Sequence, residues 1–317
     1  MIEVERAGAL STVQDAGRFG QRHLGVGAAG ALDAYSAQVA NLLVGNPVGA
    51  ALLECTLVGP SLRFTRAVRI ALTGAPLEAE VDGVALPGWR PIELPAGSVL
   101  RLGACRRGVR AYVAVDGGIE VEPLLGSAAT DLRAGFGGHG GRALRAGDRL
   151  ALRAAAHRFD HIDVARWWID PAPDLSFADE HTVHVLPGHD STLPATALLH
   201  RRWRVSARSD RQGLQLEGAP LHLADARDRV SEPVVPGTVQ LPPDGTPIVL
   251  LAEAQTVGGY PRVAHVASAD LPQLAQCRPG DGLRFMPIDP AGARARRWAQ
   301  AARLGRIALA IEAKTRR

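Results

Sequence analysis

At 317 residues, 46% apolar and only 4% aromatic, the chain is long enough for two packed domains with cores of Val, Leu, Ile and Ala. Its 35 glycines and 22 prolines exclude a helical bundle and point to short elements joined by tight turns. A formal charge of +4 and a pI of about 9.4 invite a nucleic-acid role, but Arg294 to Arg317 alone holds eight basic residues against one acid, a net +7 that leaves the rest at −3.

No basic stripe with interleaved aromatics appears, so no nucleic-acid partner is expected. No apolar run approaches the roughly 18 residues of a membrane helix. The start, MIEVERAGAL, lacks a basic region followed by an apolar one. A cytoplasmic protein without a membrane partner is the expectation. Cys55, Cys105 and Cys277 are isolated and read as small buried apolar residues.

In chain order, the first clear element is a helix in ALDAYSAQVANLLVGN. Asp33 caps it, Val39, Leu42 and Leu43 share a face, and Gly45 suits a left-handed exit. Strands follow in VRIALTG, PLEAEVDGVAL, IELPAGSVLRLG and RAYVAVDGGI, with Asp82-Gly83 as a hairpin turn. Residues 153–181 read as a linker or edge element in which Trp167-Trp168 is expected to pack between domains. A second β-rich half covers HTVHVLPG, RRWRVSARSD, GTVQLPPDGTPIVLLAE and RVAHVAS. A short helix is expected around Ser268–Gln276, capped by Ser268 or Asp270 with Pro272 in its first turn. The tail after Pro290 reads as a terminal helix weakened by Gly305. The halves echo one another: STVQDAGRFG against GTVQLPPDGT, Ser127–Asp131 against Ser206–Asp210, and the turns Gly147-Asp148 and Gly280-Asp281.

The chemistry-bearing segments are polar residues set around glycines. The segment LRAGFGGHGGRAL matches G-x-G-x-x-G at Gly135, Gly137 and Gly140, but RALRAGDRLAL after it reads as turn and strand, unlike a dinucleotide-binding βαβ unit. It is either a pocket-lining loop or a structural one. A Walker loop is excluded, because the chain's single lysine is Lys314. His157/His161 and the cluster His181, His184, His189-Asp190 lack metal-site spacing, so no metal is expected. No G-x-S-x-G elbow exists. Two constellations remain, one around Gln14, Asp15 and Arg18, the other around Asp210-Arg211, Gln240, Glu253, Gln255-Thr256 and Gly258-Gly259-Tyr260. Arginine offers a fork to a carboxylate or phosphate, glutamine matches an amide, and a carboxylate can act as a base. Capped turns and internal salt bridges explain the same spacing equally well.

The ordered blocks STVQDAGRFG, GALDAYSAQVANLLVGN, LECTLVGPSLRF, LTGA, WRPIELPAGSVLRLG, RAYVAVDGGI, LRAGFGGHGGRALRAGD, SDRQGLQLEG, GTVQLPPDGTPIVLLAEAQTVGGYPRVAHV and ADLPQLAQCRPGD run to about residue 288. They resemble the family of allophanate-hydrolase subunit 2 and biotin-dependent carboxyltransferase-like proteins, which includes the C subunit of bacterial 5-oxoprolinase and the Kip anti-inhibitor. The resemblance implies a mainly β fold of two tandem cyclophilin-like β-barrel domains, with a few short helices and a C-terminal helix. The expected boundaries are 1–155, a linker 156–181, a second barrel 182–290 and a basic helical tail 291–317. It implies a subunit of ATP-dependent 5-oxoprolinase, nearly inactive alone, that works with B-type and A-type subunits to convert 5-oxo-L-proline to L-glutamate. ATP, with Mg, would be shared with a partner. The alternatives are a carboxyltransferase subunit for a urea-like substrate, with biotin carried by another chain, or a regulator that binds its B-type partner.

On this reading the catalytic candidates are Asp15, Arg18, Asp210, Arg211 and Glu253. The substrate-binding candidates are Gln14, Gly135, Gly137, Gly138, Gln240, Gln255, Thr256, Gly258, Gly259 and Tyr260. The arginines would position substrate and phosphate, and Asp210 or Glu253 would serve as base. The sequence departs from the common family pattern at Gln212, where methionine is usual, at Thr246, where glutamine is usual, and at Glu253-Ala254, where Asp-Arg is usual.

Overall fold

The computed structural model describes residues 1–153, 158–188, 195–199, 201–222 and 230–315. His157, His189, Asp190 and the last two arginines of the tail lie outside them. The chain forms two compact units. The first comprises Met1–Phe19, Ala29–Leu175 and Arg303–Arg317, and the second Gly20–Ala28 and Ser176–Ala302.

The first unit is built on two six-stranded sheets. One runs Arg149–Leu150, Ile2–Arg6, Ser61–Phe64, Val99–Cys105, Leu77–Val81, Val84–Ala85. The other runs Asp163–Val164, Pro91–Leu94, Val68–Gly74, Arg110–Val115, Leu52–Thr56, Leu10–Gln14. One core joins them, with Ile2, Leu62, Phe64 and Leu100 from one sheet against Leu53, Ile70, Ile92 and Val113 from the other. It is aliphatic, as the low aromatic content requires. The hairpin turn at Asp82-Gly83 takes φ of 52° and 79°, as the two-residue connection demands.

The helix Ala34–Leu43 starts where Asp33 accepts a hydrogen bond from the Ser36 backbone N–H at 2.9 Å, and Gly45 follows it at φ 79°. Val39 and Leu43 are buried, whereas Leu42 is partly exposed. A buried polar chain anchors its start. Tyr112 Oη donates to Glu54 Oε2 at 2.8 Å and accepts from Asp33 N at 2.8 Å, while Leu32 N donates to the same carboxylate oxygen at 2.9 Å. Burial, with the nearby carboxylates, raises the Tyr112 phenol well above its ordinary pKa, so it remains a donor.

The second unit closes into a seven-stranded barrel in the order Glu180–Pro187, Arg262–Val266, Thr238–Gln240, Ile248–Leu250, Gly213–Glu217, Trp203–Val205, Gly282–Pro287. The closing pair, Glu180–Pro187 with Gly282–Pro287, is parallel. A separate ribbon pairs Glu232–Pro233 with Val257–Gly258. The mainly β fold class is as expected.

Several local expectations change. Asp163–Val164 pairs with Pro91–Leu94, and the first unit extends to Leu175, so residues 158–175 are an edge of that unit where a linker was expected. A two-residue ladder leaves no alternation to read in the sequence. Trp168 is 53% exposed and does not pack as expected. The short helix Leu271–Ala275 follows a 3-10 turn at Ser268–Asp270, and no side chain caps it. The Asp270 carboxylate instead accepts from His184 N, His184 Nδ1 and Arg296, which satisfy it more fully than one cap would. The terminal helix runs unbroken from Pro290 to Thr315 through Gly305. All three cysteines are buried and unbridged.

One turn is built the same way in both units. In Arg145-Ala-Gly-Asp148 and Arg278-Pro-Gly-Asp281 the aspartate Oδ2 accepts from the arginine N–H at 2.7 Å. Each aspartate N–H donates to the arginine carbonyl at 3.1 Å, and each glycine N–H donates to a strand valine, Val4 or Val205, at 2.8 Å. The glycines take φ of 89° and 96°. Arg142 adds a bidentate pair to Asp148 at 2.7 and 2.8 Å. The Arg142 bonds, ahead of the Arg145 N–H, hold the Asp148 carboxyl well below the usual carboxylate range. Because folding lowers this pKa, its stabilisation is complete above the ordinary value of about 4 and fades as pH falls from there through the folded value. Asp148→Asn should therefore cost about 1–2 kcal/mol at pH 7 and markedly less near pH 2, measured by urea unfolding at both pH values.

Candidate functional site

Within the first unit, Gln14, Asp15 and Arg18 lie at or just beyond the end of the strand Leu10–Gln14, and all engage the loop at 124–137. Asp15 accepts from Gly17 N at 2.8 Å, Ser127 Oγ at 2.7 Å and Ala128 N at 2.7 Å. Gln14 Nε2 donates to Thr12 Oγ1 and to the Thr130 carbonyl. Arg18 is fully buried. Its Nε donates to the Leu124 carbonyl and its Nη2 to the Ala129 carbonyl, both at 2.9 Å, and its guanidinium lies 4.7 Å from the Phe136 ring centre. Desolvation lowers the Arg18 pKa, with Asp131 and Asp15 opposing. These residues staple the loop in place.

The glycine-rich segment is used in the same way. A side chain at Gly137 would meet the Ala129 carbonyl at 2.2 Å and Arg18 at 2.9 Å; one at Gly138 would meet Thr130 Oγ1 at 1.8 Å. Gly135, at φ 72°, has open space around it. Close approach within the unit thus requires Gly137 and Gly138. The next regular element is the strand Arg149–Leu150, so no helix N-terminus stands there for a dinucleotide.

Within the second unit, Arg211 and Glu253 form a buried pair at 2.5 Å and are tied again by Glu253 N to the Arg211 carbonyl at 3.0 Å. Asp210 is exposed, and its Oδ1 accepts from Gln212 N and Gly213 N, the geometry of a capped turn. Gln240 is 1% exposed, at the end of Thr238–Gln240, where the ladder to Arg262–Val266 shifts register. Gln255 Nε2 donates to Gln240 Oε1 at 3.3 Å. Thr256 is buried, and its carbonyl accepts from Val234 N at 3.0 Å. Gly258 faces Gln240, and Tyr260 is 47% exposed.

Sequence reasoning missed Arg22. It begins the 3-10 turn Arg22–Leu24, which belongs to the second unit, and its Nη2 donates to the carbonyls of Val234 and Gln255. The signal was its place four residues beyond Arg18 in the same polar, glycine-flanked block, but nothing in one dimension assigns the two arginines to different units.

The histidines do not gather. His181 Nε2 pairs with Asp281, His184 with Asp270, and His161 is exposed beside Asp160 outside any helix. Among the described residues no group of three His, Cys, Asp or Glu converges, and no helix is long and apolar enough to cross a membrane.

Residues 24–287 match the family model described as carboxyltransferase domain, subdomain A and B. This chain belongs to that family. It is 39% identical over 291 residues to the C subunit of 5-oxoprolinase from Escherichia coli K12, covering 90% of this chain and 91% of that protein. It is 31% identical to urea amidolyase of Saccharomyces cerevisiae, again over 90% of this chain but only 16% of that protein. The solved urea amidolyase of K. lactis superposes with a TM-score of 0.87 at 29% identity over 96% of this chain, which spans 20% of it. Another solved chain, 38% identical with a TM-score of 0.79, is matched over 55% of its length and 90% of this one. The resemblance read from the sequence blocks is thus established at the level of the family.

The geometry sets a test of the candidate residues. Arg18 and Arg211 are buried and their charge-assisted bonds hold loops, so Arg18→Ala and Arg211→Ala should each lower the unfolding free energy by about 3 kcal/mol or more. Urea denaturation of the isolated chain measures this. Unchanged midpoints would instead assign both side chains to a function separate from folding.

Proposed function

We propose that the chain is the C-type subunit of an ATP-dependent 5-oxoprolinase, which with B-type and A-type subunits opens 5-oxo-L-proline to L-glutamate. The observation that carries this reading is length: the match to the 5-oxoprolinase protein of Escherichia coli spans 91% of it, whereas the urea amidolyase match spans 16%. A stand-alone subunit of this size fits the first assembly. ATP enters as a co-substrate whose triphosphate needs several cations and N–H donors. This chain has one lysine, Lys314, and no Walker loop, so the reading requires a partner to hold most of the nucleotide, with Mg. Its own contribution is the binding and orientation of the small substrate by the polar groups of the second unit.

A second reading, biotin-dependent carboxyl transfer to a urea-like acceptor, is favoured by the family description and by the likeness to the K. lactis enzyme. Biotin would then arrive on another chain.

Co-expression with B-type and A-type subunits tests both. The expected result is a stable complex that releases glutamate and ADP only when 5-oxo-L-proline is present, with this chain alone reaching no more than about a hundredth of that rate, the loss expected when an ATP-driven step lacks its phosphate-holding groups. A complex that hydrolyses no ATP with 5-oxo-L-proline, yet carboxylates urea when given a biotinylated carrier, would replace the first reading with the second.

A further inference from the structure

We propose that Arg22 and Gln240 form a carboxylate-binding subsite within the second unit, kept open by the absence of a side chain at Gly258. Among the described residues of this unit, two buried side-chain polar atoms that could face one ligand have no hydrogen-bond partner: Arg22 Nη1 and Gln240 Nε2. Both are donors. Leaving a donor buried and unpaired costs about 1–3 kcal/mol, and more for a charged group, so buried donors are rarely left in this state. A ligand that supplies two acceptor oxygens relieves both at once.

The two donors are held from the same residue. Gln255 uses its carbonyl to take the other arm of the Arg22 guanidinium and its amide to fix the oxygen end of Gln240. Each side chain is thus anchored at one end with its remaining donor unused. The Gln240 amide is re-aimed by the register shift between Val239 and Gln240, a common use of an irregular ladder. Arg22 also reaches the Val234 carbonyl, so its fork bridges the chains that bracket the ribbon of Glu232–Pro233 and Val257–Gly258.

Charge selects the ligand. Near this ribbon Arg262 is paired with Glu232, and Arg211 with Glu253. Arg22 pairs with no carboxylate among the described residues, and burial is what lowers its pKa. The uncompensated charge is a single positive one, which suits a monoanion. A triphosphate would leave most of its charge unmatched. A planar carboxylate also matches a guanidinium arm beside an amide N–H₂. A Cβ at residue 258 would lie 2.5 Å from Gln240 Nε2 and 3.5 Å from Gln255 Nε2, in the space before the unused donor.

The test is isothermal titration of the full chain, alone and with its B-type subunit. The probes are 5-oxo-L-proline, cyclopentanecarboxylate, 2-pyrrolidone, inorganic phosphate and ATP. Both carboxylates should bind and 2-pyrrolidone, which has the amide alone, should not. Arg22→Gln and Gly258→Ala should each weaken carboxylate binding by about tenfold or more, the loss expected for one charge-assisted hydrogen bond, with Arg22→Lys recovering part of it. Gly258→Ala deletes no bond that holds the fold, so it decides the matter if Arg22→Gln unfolds. Equal binding of 2-pyrrolidone, binding of phosphate or ATP without the carboxylates, no binding in either form, or full binding by folded Gly258→Ala would each overturn the subsite. The choice of 5-oxo-L-proline rests on the proposed function. Carboxylate binding without turnover in the complete complex would sink that function and leave the subsite, whereas turnover unaffected by Gly258→Ala would do the reverse.

Discussion

The fold rests on one constraint: strands of two to eight residues cannot satisfy the backbone of the loops between them. A long ladder pairs its own N–H and C=O groups, but a short one leaves many in turns that must still be paired where they are buried. This chain pairs them with side chains. Asp15 gathers two backbone N–H groups and a hydroxyl, Arg18 takes two carbonyls, and Asp116 takes the Arg69 N–H at 2.8 Å. Charged side chains suit the task, since a charged hydrogen bond is about twice as strong as a neutral one and reaches several groups from one residue. Much of the arginine, aspartate and glycine content that reads from sequence as chemistry is therefore spent on loop geometry.

The same constraint distinguishes the two units. In the first, Arg18 is fully enclosed, with Asp15 and Asp131 within electrostatic reach and glycines packed around it. Removing any part of that arrangement exposes buried donors and acceptors, which marks it as architecture. In the second, Arg22 is fixed by one arm only and Gln240 by one end only. Equal residue types four positions apart in the sequence thus differ in what they can still bind. Unused buried donors, more than residue identity, separate a binding group from a structural one.

The Arg-x-Gly-Asp turn repeats at 145–148 and 278–281 with hydrogen-bond lengths that agree to 0.1 Å, and in both units it hands the chain to a strand. Four residues that solve one problem twice fit an internal duplication, more firmly than the faint sequence echoes do. The units have since diverged in how their strands close: two joined sheets in one, a seven-stranded barrel in the other.

The sequence by itself determined the mainly β class, the Asp33 cap, the Asp82-Gly83 hairpin, the burial of isolated cysteines and the family. These are local or compositional properties, set by dihedral preference, by the turn chemistry of glycine and aspartate, and by ordered blocks that survive divergence. It also located most polar residues that now surround the ribbon of the second unit. Only the tertiary structure decided their use. That Asp270 serves His184 and Arg296 in place of a helix cap depends on contacts 26 to 86 residues away in the chain. That Arg18 is consumed and Arg22 is not depends on a chain that leaves one unit for nine residues, Gly20–Ala28, and returns. Long-range pairing of this kind leaves no periodicity in the sequence, because the energy that selects it is the desolvation of groups that meet only once the chain has folded.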